Sequence, residues 1–300
     1  MGLRAVQIAV AGGHHLLLTG APGTGGVMLA ERLPGLLPEL DDESAAEVSA
    51  IASVAGRLDG ALLRWPPLQA PHHTVSAEAM FGGGAGRLPG AVSLAHRGVL
   101  LLAEAPEFTP TVLDGLVGVV DQGEVVITRG GLSVRYPARC QLVMTAHPCP
   151  CPGWVSGREA PCGCSPVVRG RYLRRLLTRP VLDRVDLCVT LTAPVPGVGS
   201  GESTAVVAAR VAAARAGAAA LLAGTGWRTL AEVPDTALDT APWRLPAATT
   251  RDATDATDAG LLTPRGYHGA LRVAWTIALL DGRTPTAADV AEAVDLRRIP

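Results

Sequence analysis

Eight residues near the start of the chain, Gly20, Ala21, Pro22, Gly23, Thr24, Gly25, Gly26 and Val27, have the spacing of a loop that wraps phosphate. Such a loop follows the pattern G-x-x-x-x-G-K-S/T. Backbone N–H groups cradle the phosphates, the lysine reaches the β- and γ-phosphates, and the hydroxyl holds Mg2+. Gly20 and Gly25 are in register, but Gly26 stands at the lysine position and Val27 at the hydroxyl position. A second candidate is Glu104, which follows the apolar run Gly98-Val-Leu-Leu-Leu102. A buried strand ending in Asp-Glu is the usual partner of a phosphate loop, the Asp orienting a metal and the Glu polarising water. Here Ala103 occupies the Asp position. A third candidate is the thiol cluster Cys149-x-Cys151 and Cys162-x-Cys164. Four thiolates suit tetrahedral Zn2+. Spacing by one residue is less diagnostic than C-x-x-C, so zinc and idle reduced thiols both stay open.

The elements that must position these groups are legible in outline. His15–Thr19 reads as a short apolar strand entering the loop, and Val27–Leu36 as the helix leaving it, ending at Pro34 or shortly after. Strand, glycine loop and helix in succession is the context a phosphate loop requires. A Gly/Pro-rich region follows, centred on Phe81-Gly-Gly-Gly-Ala-Gly. Gly98–Leu102 and Gln141–Ala146 read as buried strands, Thr111–Val120 as a helix, and residues 123–136 as a hairpin turning at Arg129-Gly-Gly131. Strands alternating with helices predict an α/β fold with a parallel sheet carrying helices on both faces. The expected partition is an α/β nucleotide-binding domain over 1–192, with a cysteine-rich insertion at 149–164, then a Pro/Gly linker at 193–202. A helical lid follows over 203–300, with helices near 203–223, 266–281 and 286–296. The Asp/Ala/Thr run 248–259 reads as a loop.

Composition narrows the function. The chain has 300 residues, 48% hydrophobic and 18% charged, with a net charge of −1, so no global field draws it to nucleic acid or anionic lipid. All 26 basic residues are arginine, so no displaced lysine can rescue the loop. Gly12, Gly13, His14 and His15 interrupt any leader-like apolar run, and Arg210 and Arg215 break the Ala-rich segment 204–223. The expectation is a cytoplasmic protein without a membrane partner. Cys140 and Cys188 lie in strand-like runs and read as core. Arg171, Arg174, Arg175 and Arg179 recur at helical spacing, a face for DNA, a neighbouring subunit or solvent. Arg129 and Arg135 lie on the hairpin, while His72 and His73 carry no assigned chemistry.

The stretch Leu88-Pro-Gly-Ala-Val-Ser-Leu-Ala-His-Arg-Gly-Val-Leu-Leu-Leu102 resembles the signature of magnesium-chelatase subunit I and its ComM/YifB relatives. Four blocks agree: Ala70-Pro-His-His-Thr74, His147-Pro-Cys-Pro-Cys151, Leu182-Asp-Arg-Val-Asp186 and Arg265-Gly-Tyr-His268. The resemblance implies a ring-forming AAA+ ATPase, with a P-loop sheet followed by a helical lid. In the ComM branch it implies a role in DNA branch migration during transformation. It also implies ATP at Gly20–Val27, a water-activating Glu104 and an Arg184 that faces a neighbour's phosphate. Arg265 would be the lid sensor, and the cysteine-rich insertion is shared. Family members carry an N-terminal Lon-protease-like domain, whereas this chain begins just before the P-loop.

The departures are concentrated at one place. The family's lysine, Ser/Thr and Asp become Gly26, Val27 and Ala103, and its sensing Asn becomes His147. One missing electrostatic donor costs ~10²–10³ in rate. The expectation is therefore weak or vestigial ATP binding, doubtful Mg2+ and little or no hydrolysis. Three roles remain open: a ring ATPase, a non-catalytic subunit of a homo- or hetero-oligomeric ring, or a decayed product.

Overall fold

A computed structural model describes residues 2–151, 162–177, 180–192 and 202–298. In chain order the elements are α1 (Gly2–Gly12), β1 (Leu16–Gly20), α2 (Gly26–Glu31), α3 (Asp42–Val54), β2 (Leu68–Gln69), α4 (Ala77–Phe81), β3 (Gly82–Gly83), β4 (Leu88–Pro89), α5 (Ala91–Leu94), β5 (Val99–Leu102) and α6 (Pro110–Gln122). There follow β6 (Glu124–Arg129), β7 (Leu132–Pro137), β8 (Gln141–Ala146), α7 (Pro166–Leu177), β9 (Leu187–Leu191), α8 (Thr204–Leu222), α9 (Asp235–Leu238), α10 (Ala247–Asp258), α11 (Pro264–Leu280) and α12 (Ala287–Arg297). Five strands form one sheet in the order β2-β5-β8-β1-β9. The pairs β2–β5 and β5–β8 are parallel, with Leu68 opposite Val99 and Leu100 opposite Leu142. This is the wound α/β sheet expected from the alternation of strands and helices.

The chain forms two compact units. One runs to Leu18, takes in Gly35–Leu37 and resumes at Val185; the other holds Thr19–Pro34 and Pro38–Arg184. In the second unit β5 and β8 are buried along their whole lengths, as continuous apolar runs in parallel sheets require. The Leu88–Leu102 stretch works partly through its glycines. A Cβ at Gly98 would overlap the Pro67 carbonyl, which accepts the Val99 N–H at 2.8 Å, so only glycine lets β2 lie against β5. Helix α6 starts with a Thr109 cap and Pro110 and buries Val112, Leu113, Leu116 and Val119 at helical spacing.

In the first unit α1, α8 and α11 pack together through small residues. Helix α8 is long and apolar enough to cross a membrane by length and composition. Here it buries Val207, Val211, Ala214, Ala218 and Leu222, one face of the helix. Its half-buried Arg215 donates twice to the Val10 carbonyl, at 2.9 and 2.7 Å, closing the C-terminal end of α1. Trp275 donates to the Trp243 carbonyl at 3.1 Å and meets its ring edge-on at 5.3 Å.

Two local expectations are corrected. The run 248–259 is helix α10, not a loop: Thr250, Ala253 and Ala256 share its buried face. Thr254 and Thr257 return their hydroxyls to the carbonyls four residues back, at 3.2 and 2.8 Å, which satisfies them without leaving the helix. The helix after the loop is also shorter than expected. It ends at Glu31, and Leu33–Leu36 forms a separate 3₁₀ turn around Pro34. Helices α3, α4 and α5, inside the Gly/Pro-rich region, had no strong period. Asp41 caps α3 by accepting the Ser44 N–H at 2.7 Å. Most of the expected linker, 193–201, lies outside the described residues.

Candidate nucleotide site and thiol cluster

Strand β1 delivers the chain into the glycine loop. Thr24 folds back on Ala21: its N–H and its hydroxyl both donate to the Ala21 carbonyl, at 3.2 and 2.8 Å. Gly23 and Gly25 take φ of 87° and 83°, left-handed values that favour glycine. Gly25 is the N-cap of α2, and its carbonyl accepts the Leu29 N–H at 2.8 Å. The fold of a phosphate loop is thus kept. Its side chains are not. Gly26 opens α2 without a side chain, Val27 presents only methyl groups to solvent, and the Thr24 hydroxyl proton is taken by Ala21.

Strands β5 and β8 bring two further groups to the loop. Glu104 follows β5 with φ 56° and ψ 51°, a left-handed conformation held by its N–H donating to Thr145 Oγ1 at 3.1 Å. Such a backbone is costly for a residue with a side chain and is characteristic of functional sites. His147, one residue beyond β8, donates from Nδ1 to the Gly20 carbonyl at 3.0 Å. Its Nε2 lies 3.7 Å from Glu104 Oε1. The structure therefore joins Gly20, Glu104 and His147, and Ala103 adds no oxygen to them.

The arginines are placed differently. Arg184 grips Asp121 with two bonds, Nε to Oδ1 at 3.1 Å and a second nitrogen to Oδ2 at 2.5 Å, and donates to the Pro180 carbonyl at 3.0 Å. Arg265 is exposed in the first turn of α11, in the other unit. On α7, Arg171, Arg174 and Arg175 are exposed, and Arg175 pairs with Glu107 at 3.3 Å; Arg179 lies outside the described residues. Hairpin Arg135 pairs with Glu124 at 2.6 Å.

The four cysteines converge. Their sulfurs all lie within 4.8 Å of one another, with Cys149 to Cys151 at 3.2 Å, Cys149 to Cys162 at 3.0 Å and Cys151 to Cys162 at 3.3 Å. These separations exceed a disulfide bond of ~2.05 Å. The Cys149 thiol and then the Cys164 N–H push the Cys162 thiol down to about 6, while its bond to Cys162 raises Cys164. Four sulfurs this close together can converge on one metal ion. Burial pushes Cys140 and Cys188 up to about 12, consistent with inert thiols. Residues 152–161 of the insertion lie outside the described residues.

Similarity to known proteins matches this geometry. The profile described as magnesium chelatase, subunit ChlI, matches residues 1–196, and that of the ChlI C-terminal region matches 201–297. The chain belongs to the magnesium-chelatase subunit I family, in its ComM/YifB group. An uncharacterized protein of Mycobacterium tuberculosis strain H37Rv is 46% identical over 301 residues, 98% of this chain and 59% of its own length. YifB of Escherichia coli is 44% identical over 221 residues, 71% of this chain and 43% of its own. The competence protein ComM of Haemophilus influenzae is 43% identical over 202 residues, 67% and 38% respectively. The chain thus spans about 59% of the length of the mycobacterial relative.

Membership of the magnesium-chelatase family makes the missing side chains informative. The family is nucleotide-binding with Mg2+, a hard ion that takes oxygen ligands. At this loop the oxygens that should receive it are gone: Val27 and Ala103 carry none, and Thr24 is turned to Ala21. The residues present do not fit Mg2+ in its family position. The contact of His147 with Gly20 was not legible in sequence, because it spans 127 positions and depends on β8 ending beside the loop.

Proposed function

We propose that the chain is an AAA+ ring subunit of the magnesium-chelatase/ComM type that binds nucleotide weakly through its loop backbone and does not turn it over. The observation that carries this reading is the joint loss of loop lysine, loop hydroxyl and strand-end Asp around an otherwise retained loop. Glu104 keeps the position of the water-activating residue but has no fixed γ-phosphate to act on. Gly20, Ala21, Pro22, Gly23, Thr24, Gly25, Gly26 and Val27 supply the cradle, Arg265 the lid contact, and Arg184 a side chain for a neighbour's site. Family members assemble as rings, and a subunit without its own turnover would complete a ring with itself or with a competent partner. ATP titrated calorimetrically should bind weakly, with little gain from Mg2+ and no turnover. Robust Mg2+-dependent hydrolysis by the chain alone would refute the reading.

The thiol cluster is proposed as a structural zinc site formed by Cys149, Cys151, Cys162 and Cys164. Four sulfurs within 4.8 Å support it. Protein purified without chelator should carry one zinc per chain, released when the protein is denatured with a thiol reagent. A double Cys149→Ser/Cys162→Ser variant should carry none. Metal analysis finding no zinc in the unsubstituted protein removes the proposal.

A DNA partner is the second reading, favoured by α7, which carries Arg169, Arg171, Arg174 and Arg175 and no acidic residue. Binding of duplex or branched DNA should weaken with salt, and Arg171→Ala with Arg174→Ala should lower the salt slope by about 1 each. Identical salt dependence in the variant places the DNA contact elsewhere or nowhere.

A further inference from the structure

Helices α10 and α12 leave an open groove between them, with a volume of about 400 Å3. Its floor is Ala256 and Val294, both buried, and its rim carries Leu261, 67% exposed. Asp252 and Asp255 line the α10 side, three residues apart and both exposed, and neither has an ion pair among the described residues. On the α12 side Asp295 and Arg298 satisfy each other at 3.3 Å. Helix α10 as a whole carries three aspartates against one arginine. An apolar floor beside unpaired carboxylates is half of an interface, and it calls for a partner with apolar and cationic groups in one row.

Helix α7 presents such a row. Val167, Val168, Arg171, Arg174 and Arg175 recur at spacings of three and four residues and share its outer face, while Tyr172 and Leu176 are buried. Val167 is 70% exposed. The helix carries no acidic residue, and Arg171 makes no ion pair among the described residues. We infer that α7 of one copy of this chain docks in the α10–α12 groove of a second copy. The order of the groups fits an antiparallel approach. Along α7, Val167 precedes Arg171 by about 6 Å of helix axis, and along α10 the aspartates precede Leu261. Laid antiparallel, Val167 and Val168 cover Leu261 while Arg171 and Arg174 reach Asp255 and Asp252. Groove and helix are different surfaces of one chain, so the contact is heterologous and runs head to tail. Like charge disfavours the symmetric alternatives, because two α7 faces repel each other and so do two grooves. Choosing a second copy as occupant rests on the ring reading of the proposed function.

Sedimentation velocity on the full chain, freed of nucleic acid and run without nucleotide, measures the association. The unsubstituted chain should self-associate, and at least about tenfold more weakly at high salt than at low, since the paired groups are exposed. Asp252→Arg with Asp255→Arg should weaken association at least about tenfold, and so should Arg171→Glu with Arg174→Glu. Mixed together, the two variants should associate as the unsubstituted chain does, because each offers the charge that the other lost. All four positions are exposed, and circular dichroism checks that the variants fold. Should a reversal unfold the chain, Asp252→Asn with Asp255→Asn or Arg171→Gln with Arg174→Gln replaces it, with a loss of at least about threefold expected. A chain that stays monomeric at every salt, an association that neither substitution changes, or a mixture no tighter than its components overturns the contact. Lost DNA binding in the arginine variant with association intact assigns α7 to nucleic acid instead. None of these readouts involves the glycine loop, so nucleotide binding and turnover stand or fall separately.

Discussion

Restoring three side chains, Gly26→Lys, Val27→Thr and Ala103→Asp, should raise Mg2+-dependent ATP turnover by at least about a hundredfold over the unsubstituted chain. Each group placed on developing charge is worth ~10²–10³, and groups acting on one phosphate are not additive, so the product of the single effects is an upper bound. The backbone is ready to receive them. Gly26 already begins α2, Gly25 already caps it, and Ala103 directly follows a strand buried from Val99 to Leu102. Lysine alone should recover affinity more than rate, because it binds phosphate in ground and transition states alike. The metal ligands should recover rate. A triple variant that folds and stays at the background level, alone and mixed with a competent relative, would show that the deficit lies beyond these three positions.

The second large effect is on stability. Asp186 is buried where β9 begins, and its carboxylate is approached from several sides. It accepts the His15 N–H at 3.3 Å, lies 3.5 Å from His14 Nδ1 and pairs with Arg297 of α12 at 3.4 Å. His14 continues the network by donating from Nε2 to Thr276 Oγ1 at 2.7 Å, whose own proton goes to the Arg272 carbonyl at 3.1 Å. Burial by itself would raise the Asp186 pKa; the His14 contact, then Arg297 and His15, reverse that and hold it well below the usual carboxylate range. Asp186→Asn should cost about 3–5 kcal/mol, the range for breaking a buried pair and leaving its partner uncompensated. The sign with pH follows. A carboxylate depressed in the folded state contributes fully above its unfolded pKa of ~3.9 and loses that contribution as pH falls through the folded value. The gap between the two proteins in urea should be constant from pH 7 to about pH 5 and narrow below pH 4. A gap under 1 kcal/mol at pH 7, or one that widens on acidification, contradicts this assignment.

Sequence alone located the loop, the strand before Glu104 and the cysteine cluster, because each depends on short fixed spacings or on a run of residues buried on both faces. It missed what depends on composition without contrast. Helix α10 is written in Ala, Thr and Asp, which also compose loops, and only the burial of Thr250, Ala253 and Ala256 separates the two cases. Helix α3 buries Ser44, Ala45 and Ser49, small residues with a weak period. The place of Glu104 just after its strand was legible, whereas the contact of His147 with the loop was not. Its identity was visible as a departure from the family, but its bond to Gly20 is set by the placement of β8 and is absent from any local pattern. The grip of Arg184 on Asp121 is equally non-local, across 63 positions.

That grip has a consequence for the proposed ring. Arg184 is not a free cation waiting at the surface. Asp121 is tethered beside it and so competes at an effective concentration that no dissolved anion matches. In the assembly we propose, a neighbour's phosphate would have to displace an occupant already in place, so only an anion carrying more charge than one carboxylate would open the pair. A triphosphate would meet that condition better than inorganic phosphate.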